Sequence, residues 1–484
     1  MFADNVWLRR VFVVAGFIFF VVFFLNSYPL IPMDADDWLY LSVGRHVLPL
    51  WGYWNPTKVF PEVLMPTCGE FAAEVVLPVI GDYIDALKWT FALILSFFIM
   101  MYAYMMQRLF SDKYGLTEYW SIWVTVLVLI LHFLIFRSQL ANNDYLFYST
   151  DVTCCFNYTI PFLLNASIVL YLMRKGGLSV GLHQDRIRVS LLVIALYFAL
   201  FSNLFSSVVL AAYVGVATFV NIVLAYRKES LKNIIVNNGC GLFFIGCWTL
   251  VHLFELSGGR AGNIDEEGAG LGASIDLAIS ELGNKLTSLN HTFSLLLFAC
   301  FSFVVFLWRR LSDNDKKDFI VHCGTGSIVF CYLIILSANS VPHYIWRPEV
   351  LLSGCLYIFL IIAEVLALAI KEYNRISSFI PLLIIILGGE AVYTSDTHGR
   401  AYRDRFGLNP IVGEIITKDL VNQYITDEFK GNASIVIEMP KIAGKSKYPA
   451  TQNSIELMGG TLYKHGLINC IPCSVIYYEG NDQD

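Results

Sequence analysis

Apolar stretches long enough to cross a bilayer recur along most of the chain, and nothing else in the sequence constrains it as strongly. In hydrocarbon every backbone polar group must be satisfied internally, which leaves only helices and closed barrels. Runs of roughly 17 to 25 apolar residues fit the helix, not the shorter barrel strand. About eleven spans are read, near 7–26, 88–107, 119–136, 157–173, 189–204, 206–226, 234–255, 291–308, 319–339, 349–370 and 376–393. The stretch 189–226 must hold two of them, turning near Ser202 and Asn203 with Asn203 as a cap; one long tilted span is the competing count. The expected fold is therefore an all-α polytopic membrane protein. Charged residues make up 15% of the 484-residue chain and hydrophobic residues 56%. That is far from the roughly 25% charge of a soluble domain. A net charge of −6 with no Lys/Arg-rich run also excludes a basic nucleic-acid binder.

Scarce charge sets the threading. Counting parity from the first span, the loops on the N-terminal side hold 17 Lys and Arg residues, whereas the longer opposite loops hold seven. The positive-inside rule then puts the N-terminus in the cytoplasm. The tail after residue 393, with nine further basic residues, is sent outside. Arg9 and Arg10 precede an apolar stretch from Val11 to Leu25, but no small-residue cleavage site follows, so this span is read as a retained anchor.

The two expected parts are a transmembrane domain over 1–393 and an outer C-terminal domain over 394–484. The outer face carries a loop at 27–87, another around 137–156, a third at 256–290 and the tail. The third is rich in Gly (Gly258, Gly259, Gly262, Gly268, Gly270, Gly272) around Asp265, Glu266 and Glu267, and is expected to be flexible, a gate or a passive loop. In the tail, Ile415, Ile416, Leu420, Tyr424 and Phe429 have helical spacing, and strand-like runs follow at 434–438 and 474–478. A small α/β domain is expected there. Cys470 and Cys473 are the one cysteine pair with a suggestive spacing.

Directly after the first span the chain reads Pro29, Leu30, Ile31, Pro32, Met33, Asp34, Ala35, Asp36, Asp37, Trp38. The prolines prevent simple continuation of the helix. Three carboxylates in four residues repel one another, so one should titrate high, as a general base near neutral pH requires. Capping of a short interfacial helix beginning at Asp37 or Trp38 explains one of these acids, not three.

These acids, followed by Tyr40, by Trp51 and Trp54, and by a helix start near Gly69, together with the span count, a large first outer loop and an outer C-terminal domain, resemble the GT-C superfamily of integral-membrane glycosyltransferases. Within it the pattern is similar to bacterial O-antigen glucosyltransferases that alter serotype. The resemblance implies transfer of a sugar, glucose for the nearest members, from a polyprenyl phosphate carrier to a lipid-linked glycan. It places that transfer outside the bacterial inner membrane. No cofactor is expected, and a divalent metal is possible but not indicated by the sequence. Asp36 and Asp37 become the base candidates, Asp36 preferred, with Asp34 and Glu70 as supporting acids. Members often carry a basic residue where this chain has Glu70, with Glu74 following.

Such chemistry also needs groups for the departing phosphate. Arg347 and His343, in the segment Ser340 to Glu349 between spans nine and ten, are candidates, with Arg137 as a further one. Membrane-interface anchoring explains the same residue types. Glu364 lies inside a span and is read as either functional or a protonated structural residue, while His132, His252 and His322 are read as core residues. A lipid-linked glycan flippase, or a polymerase or ligase using the same carriers, is the alternative.

Overall fold

The computed structural model describes residues 5–44, 58–137, 143–149, 151–226, 228, 230–256, 270–373, 379–396, 410–429, 434–439, 452–469, 471 and 474–479. Trp51, Trp54, residues 257–269, Arg400, Arg403, Arg405, Cys470 and Cys473 lie outside them.

Helix α1 (Val6–Asn26) is capped by Asn5 and is followed by Pro29 and Pro32; α2 (Ala35–Ser42) starts behind them. Helix α3 (Val59–Phe71) continues through a π-helical turn, Ala72–Val76, and a last turn, Leu77–Ile80. At Gly81 the backbone turns with φ 84°, a conformation natural to glycine, and Asp82 caps α4 (Tyr83–Asp112). Then come α5 (Glu118–Leu134), the paired two-residue strands β1 (Phe136–Arg137) and β2 (Asn143–Asp144), and α6 (Val152–Lys175). Next are α7 (Arg186–Leu200), α8 (Leu204–Ala225), α9 (Leu231–Leu256), α10 (Leu271–Thr287) and α11 (His291–Leu307). Helices α12 (Asp313–Ser340), α13 (Pro348–Glu372) and α14 (Ile380–Asp396) complete the bundle. Last are α15 (Pro410–Phe429), β3 (Ser434–Met439), α16 (Gln452–Lys464) and β4 (Ser474–Glu479), with β3 and β4 parallel.

Among the described residues eight helices are long and apolar enough to cross a membrane, or nine if the bent pair of α10 and α11 counts as one span. The chain is a helical, multi-pass membrane protein. The stretch 189–226 is broken into two helices at residues 201–203, where the Asn203 side chain accepts the Phe205 N–H at 2.9 Å; of the two, Leu204–Ala225 is long and apolar enough to cross a membrane.

The ends of the bundle are unlike. At one end Arg9 and Arg108 both reach Glu118, at 3.2 and 3.3 Å, Arg108 also holds Asp112 at 2.6 Å, and Lys113 holds Asp318 at 2.8 Å. The starts of α1, α5 and α12 and the end of α4 are thereby gathered on one face, here the basic face. The chain leaving α1 lies at the other end, the acidic face.

Three sequence expectations are corrected. The interfacial helix begins at Ala35, because Asp34 takes the capping position and accepts the Ala35 N–H at 2.7 Å. The next helix begins at Val59, not near Gly69. Gly69 lies within it, where an added Cβ would sit 3.0 Å from the Leu41 carbonyl oxygen and 3.0 Å from the His465 ring, so its small size permits close approach of three segments. The expected loop at 256–290 contains a helix. Residues 271–287 form α10, with buried Ser274, Ala278 and Lys285 on one stripe, and α10 meets α11 at 100°.

Although apolar enough to be a span, α3 has both ends in the half of the bundle nearer the acidic face. Its first residues bond the α7–α8 turn (Lys58 N–H to Ser202 O, 3.4 Å; Phe60 N–H to Phe201 O, 3.2 Å), and its last turn delivers the chain to the start of α4. Helix α7 is only 15 residues long, about 22 Å, which leaves that turn recessed.

Candidate functional site

Of the three clustered acids, each has a different environment. Asp34 is the N-cap of α2. Asp36, in the first turn, is exposed. Asp37 is fully buried, and its two carboxylate oxygens accept three backbone N–H groups: Oδ2 takes Met33 at 2.9 Å and Asp34 at 3.1 Å, and Oδ1 takes Thr153 at 2.7 Å. The last bond ties the exit of α1 to the start of α6.

Burial first, and the charge of nearby Asp151 second, push the Asp37 carboxyl up to about 7, against the opposing pull of the Met33 and Thr153 hydrogen bonds. Each such bond to a charged acceptor contributes roughly 1.5–3 kcal/mol. Removing a carboxylate from water costs several kcal/mol, and here, with Asp151 adding to it, that cost wins.

Asp151 is itself buried, and the Cys154 thiol reaches its Oδ2 at 3.7 Å. Asp37, Asp151, Arg347 and Glu349 all lie within electrostatic reach of that thiol. The segment after α1, the residues before α6 and the residues around the start of α13 thus converge. Arg347 stands one residue before Pro348, its guanidinium 4.2 Å from the Tyr344 ring centroid and 3.9 Å from Glu349. Burial, the largest single effect, works to lower its pKa, but Glu349 together with Cys154, Tyr158 and Tyr344 outweighs it, so the guanidinium is held above its ordinary value.

Lys285 has no distinguishing mark in the sequence and is fully buried here. Its ammonium lies over the rings of Phe136 (4.7 Å) and Trp346 (4.4 Å), the residue preceding Arg347. A lysine in the last turn of an amphipathic helix ordinarily points to water. Only the contact of α10 with the 3₁₀ turn Pro342–Trp346 reveals the site, and that contact is long-range.

The remaining candidates have other surroundings. His343 is exposed and meets Glu281 at 2.9 Å. Glu70 is exposed on α3, and Arg137 belongs to β1, paired with Asn143. Within the bundle, His132 stacks on Phe147 at 4.2 Å and its Nδ1 lies 2.8 Å from the Val128 oxygen, and His252 meets the Tyr332 hydroxyl at 2.9 Å. His322 and the Tyr114 hydroxyl both lie 2.5 Å from Glu364, on the basic-face side and away from the acids. Among the described residues no group of three or more His, Cys, Asp or Glu is arranged to hold a metal ion.

The C-terminal segment lies over α2. Thr461 donates to the Trp38 carbonyl at 2.5 Å, Lys464 to that of Ser42 at 2.8 Å, and the Tyr83 hydroxyl meets His465 Nδ1 at 2.6 Å. Lys88 reaches Glu414 at 2.5 Å, and Lys418 reaches Asp85 at 2.7 Å.

A groove of 740 Å³ runs along α1 from Leu8 to Tyr28, walled by Met100, Val126, Phe133 and Gly388. The intervening 20 residues cover about 30 Å, the thickness of a bilayer's hydrocarbon core. It ends where the Tyr28 and Tyr145 hydroxyls bond at 2.7 Å and Tyr148 donates to the Pro29 carbonyl at 3.2 Å, next to the acidic segment.

No family model, curated protein or solved structure matches this chain.

Proposed function

We propose that the protein is a GT-C-type glycosyltransferase that moves a sugar from a polyprenyl phosphate carrier to a lipid-linked glycan at the acidic face. The observation that carries this reading is the convergence of Asp37, Asp151, Glu349 and Arg347 around the Cys154 thiol, with the exposed Asp36 adjacent to Asp37 in the chain and the lipid-length groove ending at Tyr28, just before this segment. An interfacial transferase needs a base, a cation for the leaving phosphate and an apolar path for the carrier, and residues for all three occur together.

In the proposed step the acceptor hydroxyl oxygen bonds to the anomeric carbon as that carbon's bond to the phosphate oxygen breaks. The hydroxyl proton passes to Asp36, and the carrier phosphate leaves with the bonding electron pair toward Arg347. Asp36 is assigned as base because it has access. Asp37, closed off and bonded to three backbone groups, is assigned as the positioning residue that holds α2 against α6. Arg347 provides a planar fork of donors, and Lys285 positions it through Trp346. His343, Arg137 and Glu70 lie further out on the same reading.

The finer topology belongs to the same proposal. It has eleven crossings in a bacterial inner membrane, with α5, α7, α11 and α14 crossing and α3 held in the outer half. The N-terminus is cytoplasmic, and a small α/β domain beyond residue 393 is periplasmic. The excess of Lys and Arg on the basic face supports that orientation.

The test is a reaction in detergent micelles with purified protein, a defined polyprenyl phosphosugar and a lipid-linked glycan. Product is expected. A flippase has no compartments to act between in micelles, so substrate recovered unchanged contradicts the transferase reading.

A further inference from the structure

The basic face holds a second cleft, of 730 Å³, unconnected with the proposed transfer. Its lining includes Lys113, Arg174, Lys175, Arg310, Lys317 and Lys371 against three carboxylates, Asp315, Asp318 and Glu372. Lys113 is ion-paired with Asp318. Arg310 and Lys317, by contrast, bond neutral groups, the Tyr373 hydroxyl at 3.0 Å and Asn221 Oδ1 at 3.2 Å, and among the described residues neither is paired with a carboxylate. His322 lines the cleft too, and is backed by Glu364, a polar floor about 12 Å inside the end of α13.

A bias of Lys and Arg toward one side needs no ligand. It does not require a concavity, and this one has the size of a small-molecule site. We propose that the cleft binds a phosphate-bearing anion entering from the basic face, with Arg310 and Lys317 as its principal contacts. A lipid headgroup and a free phosphate compound share this chemistry.

The experiment titrates the purified, detergent-solubilised full chain with inorganic pyrophosphate and, separately, with a short-chain phosphatidic acid. It compares wild type with the double variant Arg310→Gln/Lys317→Gln and with Arg186→Gln/Arg188→Gln, exposed residues outside the cleft lining. Saturable binding near one per chain is expected, weakened about tenfold or more by the cleft variant and unchanged by the other. Saturation with pyrophosphate supports a free ligand, and saturation with phosphatidic acid alone supports a lipid headgroup. No saturation with either probe, or equal weakening by both variants, overturns the proposal.

Discussion

The Thr153 N–H donates to Asp37 Oδ1 at 2.7 Å, joining two segments 116 residues apart in the chain. Through this bond the residues that follow α1 become part of the same face as Asp151, and by way of Cys154 they come within reach of Arg347.

Asp36 and Asp37 should therefore fail differently. Asp36→Asn is expected to lower turnover by about 100-fold or more, the scale of a lost general base, with an unchanged melting temperature. Asp37→Asn cannot accept all three backbone donors and is expected to lower the melting temperature as well as activity. Turnover and thermal unfolding of the purified variants separate the two; equal melting loss in both contradicts the assigned roles.

Arg347→Ala should reduce transfer by about 100-fold, comparable to the loss of one oriented donor to a developing anion, with Lys restoring only part. Lys285→Met, which keeps bulk and removes charge, should raise KM for the phosphosugar through a displaced Trp346. Steady-state kinetics with donor varied at fixed acceptor reads both effects, and an unchanged donor dependence removes the residue concerned from the phosphate site.

Two titrations should give opposite pH dependences of stability. The Asp37 carboxyl is raised to about 7, so the folded state binds the extra proton: its contribution is full below about 4 and is lost as pH rises through 7. His465 is depressed to about 4, chiefly by burial, so its contribution is full above about 6.5 and is lost as pH falls through 4. Melting temperatures from pH 4 to 8 should lose the first dependence in Asp37→Asn and the second in His465→Gln. Parallel curves for wild type and either variant contradict the corresponding assignment.

Gly69→Ala should loosen the packing of α2, α3 and the C-terminal segment by about 1–3 kcal/mol, the usual cost of overpacking. The added Cβ meets the Leu41 backbone oxygen, which cannot move aside as a flexible side chain does. Limited proteolysis reads this as faster cleavage after residue 396. Wild-type resistance contradicts the close approach.

Much of this architecture is legible in the sequence because hydrocarbon imposes it. Apolar length marks the helices, and the basic residues near their ends mark the face that Arg9, Arg108 and Glu118 tie together. The helix at 410–429 and the strands at 434–439 and 474–479 follow from local periodicity in the same way. The acid cluster is legible as a cluster, but its division of labour is not. Asp36 and Asp37 are adjacent and chemically alike, and only packing against Thr153 buries one and leaves the other exposed. Helix α3 is hidden for a different reason. Pro61 and Pro66 stand within it, and its apolar face is met by α7 and α4, partners set by the tertiary fold. Lys285 and the cleft around Arg310 likewise depend on contacts between distant helices, which no local pattern encodes.

Sugar transfer at the acidic face with Asp36 as base is read by product formation in detergent micelles with wild type, Asp36→Asn, Asp37→Asn and the double variant, each protein's melting temperature being recorded beside it. Glycan product is expected with wild type, and at least about 100-fold less with Asp36→Asn at an unchanged melting temperature. Full activity in Asp36→Asn would contradict Asp36 as the base.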